Sequence, residues 1–291
     1  MTAMREITTG LRFPEGPVAM DDGSVVVVEI EGGNLTRVTP DGRRTVIAHC
    51  GGGPNGAAIG PDGAVYVAND GGLEFKTEDG INFPYAAAPD NIGGRIQRVD
   101  IATGTFEDVY THSGGQPLGS LNDVVFDASG RFYFVDTGVG AIHYASIDGL
   151  GAEPVATSLE MPNGMGLSPD GRRLYASETY TGRVWAWDVA DDGTLHDRSL
   201  LYTADGHGWD GLAVDGAGNV CIANLEHSGI SIIGPDGTLH DEVTVPLHDP
   251  FVTNVCFGGP DLRTAFITSS GRGRLYAADW PYPGLRLHFA R

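Results

Sequence analysis

The stretch that decides the fold is "MPNGMGLSPDGRRLYASET", residues 161–179. Asn163-Gly164 is a dipeptide that ordinarily marks a tight turn. Seven residues later stands a better turn signal, Pro169-Asp170-Gly171. Two turns around one short apolar run would leave no strand worth the name, so one signal needs another explanation.

Comparison along the chain supplies it. Six copies of the pattern occur: "PEGPVAMDDGSVVVVE" from Pro14, "PNGAAIGPDGAVYVAN" from Pro54, "LNDVVFDASGRFYFVD" from Leu121, "PNGMGLSPDGRRLYAS" from Pro162, "WDGLAVDGAGNVCIAN" from Trp209 and "TNVCFGGPDLRTAFIT" from Thr253. Each places a polar residue second, then a short apolar strand, a turn and a stronger apolar strand. The turn glycine, at Gly23, Gly63, Gly130, Gly171 and Gly218, falls eight residues after the polar one; the last copy has Leu262 there. More polar strand pairs follow most copies, as in "NLTRVTPDGRRTVIA" and "ISIIGPDGTLHDEVTV". Two hairpins per repeat make four strands, and a period of about 40–45 residues is that of a propeller blade. The expectation is an all-β, six-bladed β-propeller forming a single domain over 1–291. The last repeat has room for one further strand, "RLYAADW", so the N-terminal "AMREITT" is expected to complete that blade and close the ring.

Asn55 and Asn122 are 67 residues apart, about 25 more than the repeat needs. The surplus falls near 71–94 and carries Phe75, Phe83 and Tyr85. It reads either as a surface excursion burying its own aromatics or as a lid over the channel.

Composition narrows the partners. A net charge of −20 argues against nucleic acid and anionic membranes, both of which demand clustered Lys and Arg. Residues 1–12 lack the apolar core of a signal peptide, and no apolar run approaches membrane-spanning length. Cys50, Cys221 and Cys256 have no metal-ligand spacing and read as reduced thiols of a soluble cytoplasmic protein, a monomer or small homo-oligomer. There is no Gly-x-Ser-x-Gly elbow, and the glycines recur in hairpin turns rather than between strand and helix.

The second residues of the six copies are Glu15, Asn55, Asn122, Asn163, Asp210 and Asn254. All offer side-chain oxygen, and in a propeller the start of each innermost strand lies at one mouth of the central channel. Turn chemistry accounts for any one of them. It does not account for Glu15, for Asn122 before Asp123, or for Asn254 before Val255. Two carboxylates with several amides, without cysteine or paired histidines, suit Ca2+. Mg2+, Mn2+ or Zn2+ are alternatives, although Zn2+ prefers His or Cys.

At these residues the chain resembles the SMP-30/gluconolactonase/regucalcin-like group of six-bladed propellers. The likeness runs from about Phe13 to the C-terminus and includes "FPEGP", "LNDVVFDASGRFYF", "PNGMGLSPDGRRLY", "WDGLAVDGAGNV" and "FGGPDLRTAFIT". It implies a divalent metal held by Glu15, Asn163 and Asp210, with Asn122 beside it touching metal or substrate. Members commonly hydrolyse sugar-acid lactones, and related propellers hydrolyse organophosphates. Sugar-lactone members can carry an arginine two residues before the asparagine matching Asn122; here that position is Ser120.

The expected activity is metal-dependent hydrolysis of a lactone, sugar-derived or bulkier, with Asp210 as general base and Asn122 as its catalytic partner. His207 is the rival base. Asn55, Asn122, Ser120, His207, Trp209 and Asn254 are the expected substrate contacts, and Trp209 reads equally as core packing. Asp123 is expected to face away from the channel. An organophosphate hydrolase on the same metal, or a non-enzymatic metal-binding propeller, are the competing readings.

Overall fold

The computed structural model describes residues 4–204 and 208–289. Among them there is no helix. Six four-stranded antiparallel sheets follow one another along the chain. Blade 1 comprises Pro14–Ala19, Val25–Glu29, Asn34–Val38 and Arg44–His49. Blade 2 comprises Pro54–Ile59, Val65–Asn69, Arg95–Val99 and Phe106–Tyr110, and blade 3 Leu121–Phe126, Phe132–Asp136, Ala141–Ala145 and Ala152–Ala156. Blade 4 is Pro162–Leu167, Arg173–Glu178, Arg183–Val189 and Leu195–Thr203; blade 5 is Trp209–Val214, Val220–Asn224, Gly229–Ile233 and Leu239–Thr244. Blade 6 joins Val252–Gly258, Thr264–Ser269 and Arg274–Asp279 to the N-terminal strand Met4–Thr9. The innermost strand of each blade touches that of the next, and blade 6 touches blade 1. The chain is a six-bladed propeller, closed as its repeats require.

The burial gradient across a blade explains the composition. Second strands such as "VVVVE" and "FYFVD" are buried along their whole length, because each is wedged between two neighbouring sheets. Such strands read as continuous apolar runs rather than alternations. Outer strands such as Arg44–His49 are mostly exposed. Six apolar clusters result, one between each pair of adjacent blades. Tyr66 and Phe132 meet between blades 2 and 3, Tyr133 and Trp187 between blades 3 and 4, and Val27 and Leu275 between blades 1 and 6. Burying side chains of this size contributes about 1.5–3 kcal/mol each.

The turn position eight residues past each polar residue needs left-handed backbone. Gly23 and Gly171 supply it at φ 81° and 68°, and Leu262 is forced into the same region at φ 57°. The N-terminal strand pairs antiparallel with Arg274–Asp279, and Glu6 bonds Arg274 across that seam.

Residues 281–289 cross the channel mouth opposite the polar ring. Gly284 N–H donates to Leu262 in blade 6 and Leu285 N–H to Val214 in blade 5 (2.8 and 3.4 Å), and Phe289 packs on Phe126 of blade 3. No helix among the described residues is long and apolar enough to cross a membrane.

Candidate functional site

All six innermost strands carry a register shift where the polar residue sits: between Glu15 and Val18, Pro54 and Gly56, Leu121 and Val124, Pro162 and Met165, Trp209 and Leu212, and Val252 and Asn254. A bulge breaks the ladder for a residue or two and re-aims side chains. Asn163-Gly164 is therefore a bulge and not a turn. Backbone groups released by it find side chains instead: Gly164 N–H donates to Ser177 Oγ (2.8 Å), and Ser177 donates to the Asp210 carbonyl (2.9 Å). One serine thus fastens the ring residues of blades 4 and 5.

The glycine after the polar residue has a separate cause. A Cβ on Gly164 would lie 2.5 Å from Leu212 N and 2.6 Å from Gly211; one on Gly56 would lie 2.4 Å from the Asn122 carbonyl oxygen. Neighbouring inner strands approach too closely for a side chain. We expect Gly164→Ala to cost about 1–3 kcal/mol, since the obstructing atoms are backbone and cannot rotate away. A urea midpoint equal to wild type at unchanged m would contradict this.

Where that glycine is absent, the structure departs from expectation. Asp123 does not face away from the channel. It is buried and lines an axial cavity of about 490 Å³ on the far side of the ring, with Val124, Met165, Leu212 and Val255. Its carboxylate accepts from Val124 N (2.8 Å) and from Met165 N in the next blade (2.9 Å). The strand alternation behind that expectation fails because the bulge intervenes. Burial pushes the Asp123 carboxyl up to about 7, against both backbone donors.

Glu15, Asn55, Asn163 and Asn254 are buried; Asn122 and Asp210 are half-buried. Burial raises Glu15 well above the carboxylate range, the charges of Asp210 and Asp123 add to it, and Gly16 N–H and Asn254 oppose. Asp210 is pushed up to about 7 by burial, with Asp123 adding and the Asn163 amide and Gly211 N–H opposing. The charges of Glu15, Asp210 and Asp123 thus act on one another, and burial disfavours each of them.

The amides are held with one sense. Asn163 Nδ2 donates to Thr179 Oγ1 (3.1 Å), while its Oδ1 is buried without a partner. A buried acceptor without a donor costs about 1–3 kcal/mol, which a cation would relieve. Asn254 is engaged at both ends: Nδ2 donates to Glu15 Oε2 and Oδ1 accepts from Val255 N, each at 2.8 Å. It therefore holds Glu15, whose protein hydrogen bonds both fall on Oε2. The donor set fits a hard cation. Among the described residues no three His, Cys, Asp or Glu side chains group as a metal centre, in keeping with a set that mixes carboxylates and amides.

Of the other expected residues, Ser120 is half-buried beside the ring, its N–H donating to Asp136 Oδ1 (3.0 Å). Trp209 is buried, its indole donating to the Gly182 carbonyl (2.8 Å), so packing is its role. His207 lies outside the described residues. Two residues were missed. Asp70 is buried beside Asn55, with Oδ2 unpartnered and its carboxyl pushed up to about 7 by burial; Thr179 fixes the Asn163 amide. Both stand one residue past the second strand of their blades, a register that alignment of the repeats would have exposed.

The insertion forms a hairpin, Leu73–Glu78 and Ile81–Ala87, on the same face as the ring. It leans over blade 1 to blade 6. Asn82 donates from its backbone to the Gly271 carbonyl and from its side chain to Glu31, each at 2.7 Å. Phe75 meets Phe13 at 5.0 Å between ring centroids, and Phe83 meets Phe251 at 5.3 Å.

Comparison with known proteins agrees with the propeller fold. A pentonolactonase of Haloferax volcanii is 30% identical over 286 residues, covering 93% of this chain and 86% of that protein. A gluconolactonase of Zymomonas mobilis is 26% identical over 92% of this chain and 79% of its own length. Among solved structures, regucalcin of Agrobacterium tumefaciens, a calcium-binding protein, superposes with a TM-score of 0.76 at 19% identity over 98% of each chain. Residues 13–271 match the SMP-30/gluconolactonase/LRE-like region, and the chain belongs to that family.

Proposed function

We propose that this chain is a divalent-cation-dependent hydrolase that opens lactone rings by adding water to the ring carbonyl. The observation that carries the reading is the buried Asn163 oxygen left without a donor, on a ring whose carboxyls Glu15 and Asp210 disfavour each other's charge. Glu15, Asn163 and Asp210 would hold the cation, Ca2+ by the hardness and number of oxygen donors. The chemistry such a cation would supply when bound is polarisation of the lactone carbonyl and a lowered pKa for water at the site.

The remaining work falls to the chain's own groups. Asp210 accepts the proton of the attacking water as the carbonyl carbon becomes tetrahedral, then returns it to the departing ring oxygen, giving the hydroxy acid. Asn122, half-exposed at the ring, orients the lactone through its amide. Asn254 keeps Glu15 in place. The pentonolactonase and gluconolactonase relatives support lactone chemistry as the reaction class.

The test is hydrolysis of a lactone panel by purified protein, before and after chelation and after adding back Ca2+. Activity is expected to fall at least about 10²-fold on chelation and to return with the cation. Hydrolysis indifferent to complete cation removal, or turnover of phosphotriesters but of no lactone, would overturn the reading.

A further inference from the structure

Two residues before each ring residue stand Phe13, Gly53, Ser120, Met161, Gly208 and Val252, of which Val252 packs in the core between blades 5 and 6 while Ser120 is half-buried and Met161 exposed. Ser120 carries the one polar side chain among these six. A sugar lactone brings several hydroxyls, and each one stripped of water without a partner costs about 1–3 kcal/mol.

Aromatic and aliphatic side chains gather at two places among the described residues of this face. Phe75, Phe13, Phe251 and Phe83 form a continuous chain of rings, with Phe13 and Phe251 at 5.5 Å closing it. Phe13 directly precedes Pro14-Glu15, so the cluster stands beside that carboxylate. On the rim, Tyr180, Ile92, Val139, Tyr85 and Met161 are exposed by 75%, 79%, 56%, 56% and 40%. All five lie in connections on the ring's face: the turns leaving the second strands of blades 2, 3 and 4, or the entry to blade 4.

Backbone strain falls at the same place. Phe13 and Met161 have φ of 56° and 52°, the left-handed region that bulky residues rarely occupy. Strain of this kind costs about 1–3 kcal/mol and persists where the surroundings over-determine it, commonly at ligand sites. Glu31 on this side takes Arg12 at 3.3 Å and Asn82 at 2.7 Å.

We propose that the substrate is a lactone bearing an apolar substituent, alkyl or aryl, rather than a polyhydroxylated sugar lactone. This rests on the lactonase reading above and narrows its substrate. The lactone carbonyl sits at the ring, and the substituent lies against Phe75 and Phe83 on one side and Met161 and Tyr180 on the other.

The test compares kcat/KM for γ-decalactone and xylono-γ-lactone, two five-membered lactones, each divided by its spontaneous hydrolysis rate. The corrected ratio is expected to favour γ-decalactone by about 100-fold. Phe83→Ser should lower that ratio about tenfold, through KM for the alkyl lactone, the loss of one buried aromatic contact. Tyr180→Ser, at a site too exposed to threaten folding, should lower it in the same direction. Equal or better use of xylono-γ-lactone would overturn this inference while leaving lactone hydrolysis standing. Turnover of neither compound would overturn both. A ratio unmoved in both variants would remove the apolar wall from the explanation.

Discussion

Asp210→Asn is expected to lower kcat/KM for lactone hydrolysis by about 10³-fold, the size of effect seen when a positioned base is removed. The substitution keeps shape and removes both the proton acceptor and one of the negative charges that would hold the cation. Its effect on stability should have the opposite sign. Asp210 lies near Glu15 and Asp123, and desolvation of its carboxyl together with the Asp123 charge raises its pKa to about 7. The cation-free variant is therefore expected to melt no lower than the cation-free wild type near pH 8, where the wild-type carboxylate is ionised. Loss of activity with gain of stability is the signature of a group retained for function. Thermal melts in chelator, beside steady-state kinetics, read both halves. Should the variant melt far below wild type and also lose activity, Asp210 would be a structural residue.

The second large effect is a coupling between pH and cation. Asp210, Asp123 and Asp70 all have folded-state pKa values of about 7, above the ordinary 3.8, with burial as the first cause in each. Between those values the folded chain binds more protons than the unfolded one, so stability falls as pH rises. In chelator the melting temperature should thus decline from pH 5 to pH 8. Calcium is expected to reverse the trend, because at the proposed site it would offset the ionised carboxylates of the ring and compete with protons for them. At a hundredfold excess over Kd a ligand adds about 2.7 kcal/mol, or about 5 °C for a chain of this size. The shift should be large at pH 8 and small at pH 5. A calcium shift independent of pH would place the ion on ordinary surface carboxylates.

Much of this was legible in the sequence, for a definite reason. The propeller repeats one structural problem six times, so residues that mean little alone acquire meaning by register. Asn163 looked like turn punctuation until Glu15 and Asn254 were found in the same place. The closing strand Met4–Thr9 followed from counting strands in the last repeat. What escaped was whatever depends on backbone detail. Asp123 was assigned by strand alternation to the wrong side, because a bulge of one or two residues is invisible in a pattern of period two. The glycines after the ring residues read as turn formers, whereas their purpose at Gly56 and Gly164 is close passage of the next strand. Asn254 was expected at the substrate, but its amide is spent on Glu15 and Val255. Thr179 and Asp70 escaped since their role is to orient another side chain. From sequence the 71–94 insertion reads equally as lid or as excursion. Its aromatics pack on Phe13 and Phe251, residues of other blades that no local reading could have paired with them.

The central claim is that Glu15, Asn163 and Asp210 form one cation site on the propeller axis. Calorimetric titration of Ca2+ into chelator-stripped protein at pH 8 tests it most directly, with Glu15→Gln and Asp210→Asn measured alongside. The account predicts one ion per chain in the wild type and at least a tenfold weaker site in each variant, loss of a charged ligand being worth more than the about 1.4 kcal/mol that a factor of ten represents. Wild-type affinity in both variants, or no saturable binding of any divalent cation, would contradict it.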